Sequence, residues 1–324
     1  MKVKVKLASS VRNREFRTAH TFPLPIHLRV VGEGPIILPA SGKLGLSMKF
    51  KKPPLIELVA DFRWNPIGSS APSVAVQQNV GQLVPQPLAD PARNESFFSS
   101  FADGISKQGY VKAERLVPIG WPYPGQFPVM RFRHPQNEGP DLSTLYQVGA
   151  GLFSAHALPP YDNWEQFKPV IHQGLEVLLT SRPTEEQIAK FSVITLRYID
   201  RFSTALTGNV TPRTFIEEVL NIHLDLPKVV QDETEDQSKI NPTIVLKLPL
   251  KSGLQMNLAV NNANDPPSAG IVMDTTVVTL GPTDSSIDAA MGVLETAHDS
   301  IRRVFVGLTE PIASRMEPDH VTIH

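Results

Sequence analysis

The sequence predicts an α+β fold in which antiparallel strands carry their helices on one face. Three observations lead there. Strand-like runs with an apolar residue at every second position outnumber the helical stretches, and they come in groups rather than alternating singly with helices. No strand–helix unit carries the glycine-rich turn of a doubly wound nucleotide fold. The order strand–helix–strands–helix also occurs twice, over about residues 53–182 and 190–312, so the body at 53–324 reads as two similar halves side by side.

Ahead of that body, "MKVKVKL" alternates strictly, with Val3, Val5 and Leu7 on one face and lysines on the other, the pattern of a guarded edge strand. Short strands broken by Gly and Pro follow, so residues 1–52 read as a small β-rich appendage. Lys51-Lys52-Pro53-Pro54 marks the boundary, because proline breaks sheet pairing. The body opens with the apolar strand "LIELVADFRW" (55–64), and 65–92, rich in Pro, Gly, Ser and Gln, reads as a long loop. Phe97, Phe98, Phe101 and Ile105 fall at helical spacing. "FPVMRFRH" and "STLYQVGAGLFSAHAL" read as two strands, the second a hairpin partner whose glycines are bulged or closely packed. "YDNWEQFKPVIHQGLEVLL" is a helix capped by Asp162, with Pro169 expected to kink it or split off its first turn.

The second half starts with the strand "FSVITLRYIDRF" and the helix "TPRTFIEEVLNI", capped by Thr211 with Pro212 at its first position. The acidic "QDETEDQSK" (231–239) reads as a solvated linker, followed by the strands "NPTIVLKLPL", "LQMNLAVNN" and "GIVMDTTVVTL". A long closing helix gathers Ile287, Met291, Leu294, Ala297, His298, Ile301, Val304 and Phe305 on one side, and Arg302-Arg303 suit its C-terminal dipole.

Composition narrows the function. Over 324 residues, 41% hydrophobic and 19% charged, the chain is globular rather than disordered. No apolar run reaches the roughly 18–20 residues of a membrane span, and the N-terminus lacks a signal-peptide core, so a cytoplasmic protein with no membrane partner is expected. With no cysteine, disulfides, thiolate metal sites and cysteine nucleophiles are excluded. Net charge is −1, yet residues 1–52 hold eleven Lys/Arg against Glu15 and Glu33, a net of +9, which leaves −10 on the rest. The basic arm (Lys2, Lys4, Lys6, Arg12, Arg14, Arg17) either contacts nucleic acid or an acidic partner, or packs on its own acidic body.

No phosphate-binding loop, no His-Glu-x-x-His or His-x-His set and no serine elbow occurs, so no catalytic, cofactor or metal site is predicted. Glu185-Glu186 and Glu217-Glu218 read as solvated pairs. The sharpest polar cluster is Arg197, Tyr198, Asp200 and Arg201 on one strand, with His298 on the closing helix read as a packed, hydrogen-bonded histidine. Arg197 and Arg201 share one strand face. Asp200 falls on the apolar face, where a carboxylate calls for an ion pair, a turn or a cavity.

The segments "KKPPLIELVADFRW", "YDNWEQFKPVI", "VITLRYIDRF" and "LETAHDSIRRVFVGLTE", in that order over roughly 53–312, resemble the markers of a sporadically distributed prokaryotic family. The resemblance brings no catalytic residues. It implies that Arg197, Tyr198, Asp200, Arg201, His298 and Phe305 occupy characteristic positions, with Asp200 standing where Asn is usual. Such patchy distribution is typical of defence or toxin–antitoxin loci. The expectation is therefore a non-enzymatic interaction or regulatory protein, acting on another protein or self-associating and needing no cofactor. Two alternatives stay open: a small-molecule module with a pocket near Tyr198 and His298, and nucleic-acid binding through the basic arm.

Overall fold

The computed structural model describes residues 50–66, 91–123, 125–135, 143–159, 163–263 and 270–318. They form a nine-stranded antiparallel sheet with helices, the predicted α+β class. The first half runs β1 (Leu55–Arg63), α1 (Pro91–Ser106), β2 (Lys112–Arg115), β3 (Met130–Arg133), β4 (Thr144–Gly149), β5 (Leu152–Ala157) and α2 (Trp164–Ser181). The second runs β6 (Val193–Phe202), the short helices α3 (Thr204–Thr207), α4 (Pro212–Thr214) and α5 (Lys228–Glu233), then β7 (Ile244–Pro249), β8 (Gln255–Ala263), β9 (Gly270–Val278) and α6 (Ile287–Thr309). The sheet order is β2-β3-β4-β5-β1-β6-β9-β8-β7. In each half the first strand pairs with the last and the others fold back as a meander. The two first strands, β1 and β6, pair antiparallel at the centre, so the repeat order seen in the sequence becomes a two-fold arrangement of the sheet.

All helices long enough to pack lie on one side, because the apolar alternation of every strand points there. Phe62, Phe101, Phe132, Tyr146 and Phe153 interlock under α1 and α2. A second core under α3 and α4 joins Phe202, Phe215, Ile271 and Met273. Burial of this apolar surface, at about 25 cal/mol per Å², is what holds the layers together.

Several expectations are corrected. The segment 143–158 is not one strand but a complete hairpin, β4–β5, closed at Ala150-Gly151; Gly151 takes φ +74, a left-handed value that glycine adopts without strain. The α2 cap is Asn163, whose side chain accepts from the Gln166 N–H at 3.0 Å, rather than Asp162, which lies outside the described residues. Pro169 does not split the helix: it sits in a continuous α2, whose ladder forgoes the one backbone bond that proline cannot donate. The stretch 231–239 is partly ordered, with α5 extending to Glu233 and a single 3₁₀ turn at Gln237–Lys239. Arg302 and Arg303 lie well before the end of α6 at Thr309, and no basic residue occupies its last turn, so they do not serve its dipole. Glu186 is buried rather than solvated, since its carboxylate accepts from the Trp64 indole at 2.7 Å. Thr211 caps α4 as expected, and Ser286 caps α6.

The appendage at 1–52 lies outside the described residues apart from Phe50–Lys52, as do Lys2, Lys4, Lys6, Arg12, Arg14 and Arg17. Those last residues are tied to the other end of the body: Phe50 bridges Pro318, Lys51 and Lys52 donate backbone bonds to Glu317 and Met316, and Lys52 pairs with Glu317.

Candidate functional site

With the helices on one side, every second strand residue faces the other. The pairing register lines up one residue from each of the nine strands in a transverse row on that face, which is open except where Leu145, Leu152 and Ser154 of the β4–β5 hairpin and Thr276 of β9 are buried. Lys112, Arg133, Leu145 and His156 come from β2 to β5, Val59 and Arg197 from the central pair, and Thr276, Asn257 and Lys247 from β9 to β7. At about 4.8 Å between strands the row is about 38 Å long, with a cation at each end.

Across the whole open face the strands place seven cations (Arg63, Lys112, Arg131, Arg133, Arg197, Arg201, Lys247) and four carboxylates (Glu57, Asp61, Glu114, Asp274), a net of +3 on a body that carries −10. Each carboxylate has a partner. Arg197 Nε reaches both oxygens of Asp274 at 2.9 and 3.0 Å, Arg63 Nε pairs with Asp61 at 2.8 Å, Arg131 with Glu114 at 3.1 Å, and His156 Nδ1 with Glu57 at 2.9 Å. The His156 hydrogen bond holds the Glu57 carboxyl below its ordinary pKa against the opposing effect of burial. Asp274 likewise raises the pKa of Arg197. Among the described residues, the side chains of Lys112, Arg133, Arg201 and Lys247 have no such partner, and the Arg201 Nε is buried without a hydrogen bond. The face thus keeps its negative charges occupied and leaves positive ones available. Val59, Ile199, Val272 and Val278 are half-exposed between them, and Val245 is 62% exposed at the β7 edge.

At one end of this face the segments 116–123 and 125–128 fold over the sheet. A side chain at Gly149 would stand 1.8 Å from the Phe127 carbonyl, so only glycine admits this approach. Tyr123 of the same loop packs against Phe98 on the helix side, which fixes the loop from both faces. Ile119 and Trp121 project from it, 75% and 64% exposed.

The sheet divides the cluster predicted on β6. Arg197 and Arg201 are on the open face, while Tyr198 and Asp200 face α6 with His298 above them. The histidine is packed and bonded, as the sequence suggested: Tyr198 Oη and His298 Nδ1 are 2.7 Å apart, and the imidazole stacks on Trp164 at 4.6 Å between ring centroids. Burial lowers the His298 pKa. Trp164 donates to Glu295 at 3.0 Å, and Lys168 pairs with that carboxylate. Sheet and closing helix therefore meet where the alternative reading placed a small-molecule pocket. Asp200 departs from the expected ion pair or turn: it lies within β6, 3% exposed, between the two cores, and among the described residues no ion pair or hydrogen bond reaches its carboxyl. Burial, aided by Asp274, pushes its pKa up to about 8, so it is mostly the neutral acid near pH 7.

Sequence reasoning found Arg197 and Arg201 but missed the row to which Arg197 belongs. The signal lay in the alternation of "VMRFRH" and "TIVLKLP", where cations occupy the polar phase; only pairing register shows that the phases align. Among the described residues no group of three or more His, Asp and Glu could hold a metal, and no helix is long and apolar enough to cross a membrane. No family model, curated protein or solved structure matches the chain.

Proposed function

We propose that this chain is a non-enzymatic interaction protein that binds an acidic protein through the open face of its sheet. It acts in the prokaryotic cytoplasm as the regulatory or neutralising partner in a defence or toxin–antitoxin locus. The observation that carries this is the separation of charge: a net-positive face on an acidic body, with every carboxylate of that face already paired. Half-exposed valines and isoleucine among the charges favour a protein over single-stranded nucleic acid, which takes stacking aromatics that the paired strands do not place there. The locus rests on the family resemblance alone. Titration with poly-L-glutamate, against the triple variant Lys112→Glu, Arg133→Glu, Lys247→Glu, tests the surface. Binding that weakens with salt and is lost in the variant supports the reading. Equal binding by both proteins, or binding of duplex DNA in preference to the polypeptide, sinks it.

Nucleic-acid binding through the basic arm is the second reading, favoured by the +9 charge of residues 1–52. Removing residues 1–49 abolishes duplex binding if the arm carries it and leaves it unchanged if it does not.

A further inference from the structure

Arg182 ends α2 and is 2% exposed. Its guanidinium lies 4.5 Å from the ring centre of Trp64 and 5.7 Å from that of Phe191, and Nη2 donates to the Ala189 carbonyl at 3.0 Å. Nε and Nη1 are buried and, among the described residues, have no hydrogen-bond partner. Glu186, also 2% exposed, accepts from the Trp64 indole N–H at 2.7 Å. The indole is thus shared, its ring against the cation and its N–H on the carboxylate. The Glu186 charge acts on the guanidinium, which otherwise pays for its burial. Few buried polar groups in folded proteins go without a partner, and charged donors are the most costly to strand. Two stranded N–H groups beside a carboxylate are the polar surroundings that an internal water requires.

We propose that this site binds internal water, at least one molecule accepting from Arg182 Nε or Nη1 and donating to the Glu186 carboxylate. The ligand is water rather than an anion because Glu186 already answers the guanidinium charge and would repel a second negative group. The position gives the water a role. Arg182 closes the first half, Glu186 lies in the connection, and Phe191 opens the second half while bridging Thr283 ahead of α6. A hydrated ion pair therefore fastens the connection between the halves onto the end of β1.

A high-resolution crystal structure of the full chain, joined to water–amide and water–guanidinium cross-relaxation by NMR, tests this. The expected result is ordered water within hydrogen-bonding distance of Arg182 Nε or Nη1 and of Glu186, with a water cross-peak at the Arg182 Nε proton. Arg182→Met keeps the stem over Trp64 and should lose that density. A direct Arg182–Glu186 contact with no water, or a dry guanidinium, overturns the proposal. So does an anomalous peak at the site after a bromide soak, which would make it an anion site. Should Arg182→Met fail to fold, the wild-type density and cross-peak decide alone.

Discussion

Replacing Asp200 with Asn should change how stability depends on pH more than it changes stability itself. In the folded chain the carboxyl keeps its proton up to about pH 8, because burial penalises the charge and Asp274 adds to the penalty. An unfolded aspartate releases it near pH 3.9. Between those values the native state binds the extra proton, so stability falls as pH rises; it is fully present below about pH 4 and lost through about pH 8. From about pH 6 to about pH 9 the native proton is held for roughly two pH units, which at about 1.4 kcal/mol per unit costs about 2–3 kcal/mol. Asn fills nearly the same volume and never ionises, so the variant should lack this slope. Near pH 6, where Asp200 is neutral, the two proteins should agree within about 1 kcal/mol. Urea unfolding at both pH values reads the effect directly: with an m-value of about 3 kcal/mol/M, the parent midpoint should drop by about 1 M relative to the variant. If parent and variant lose stability in parallel, the carboxyl is not titrating as a buried acid and the reasoning fails.

Other outcomes follow from the same contacts. Asp274→Asn should cost about 1 kcal/mol, a modest figure because the Arg197 side chain is 43% exposed, and should move the Asp200 transition to lower pH by removing the neighbouring charge; the pH dependence of the urea midpoint checks both. Tyr198→Phe should cost about 1 kcal/mol by removing the bond to His298, measured by the same unfolding curves. Because burial depresses the His298 pKa, its contribution is present above about pH 6.5 and lost as pH falls; an acid-side drop in Tm that persists in His298→Gln would contradict this. Gly149→Ala should destabilise by about 2–3 kcal/mol and shift Trp121 emission, since the new methyl group collides with the Phe127 carbonyl; an unchanged spectrum and midpoint would refute that packing.

The strands most legible in the sequence were those with an unbroken apolar phase: β1, β6, β7, β8 and β9. β2, "KAER", is hard to read because an edge strand of three charged residues and one exposed alanine carries no apolar alternation. The β4–β5 hairpin reads as one strand because its turn, Ala150-Gly151, sits in a run that stays apolar on both sides; the left-handed φ of Gly151 becomes evident only in three dimensions. Asp200 was correctly placed on the apolar face, but the sequence argued for a partner, since a charged carboxylate would demand one. A neutral acid satisfies burial differently. The open-face row lay beyond sequence reasoning for a plain reason: nine strands contribute one residue each, and register, not spacing along the chain, brings Lys112 into line with Lys247.

Lysine reactivity gives the most direct view of that face. Lys112 and Lys247 stand on opposite edges of the sheet, while Lys228 on α5 is highly exposed and, among the described residues, pairs only with Asp232. Acylation followed by mass spectrometry, with and without poly-L-glutamate, should show Lys112 and Lys247 protected together and Lys228 still reactive, because a partner covering the face must shield both edges. Protection of Lys228 with Lys112 and Lys247 left reactive would contradict the account.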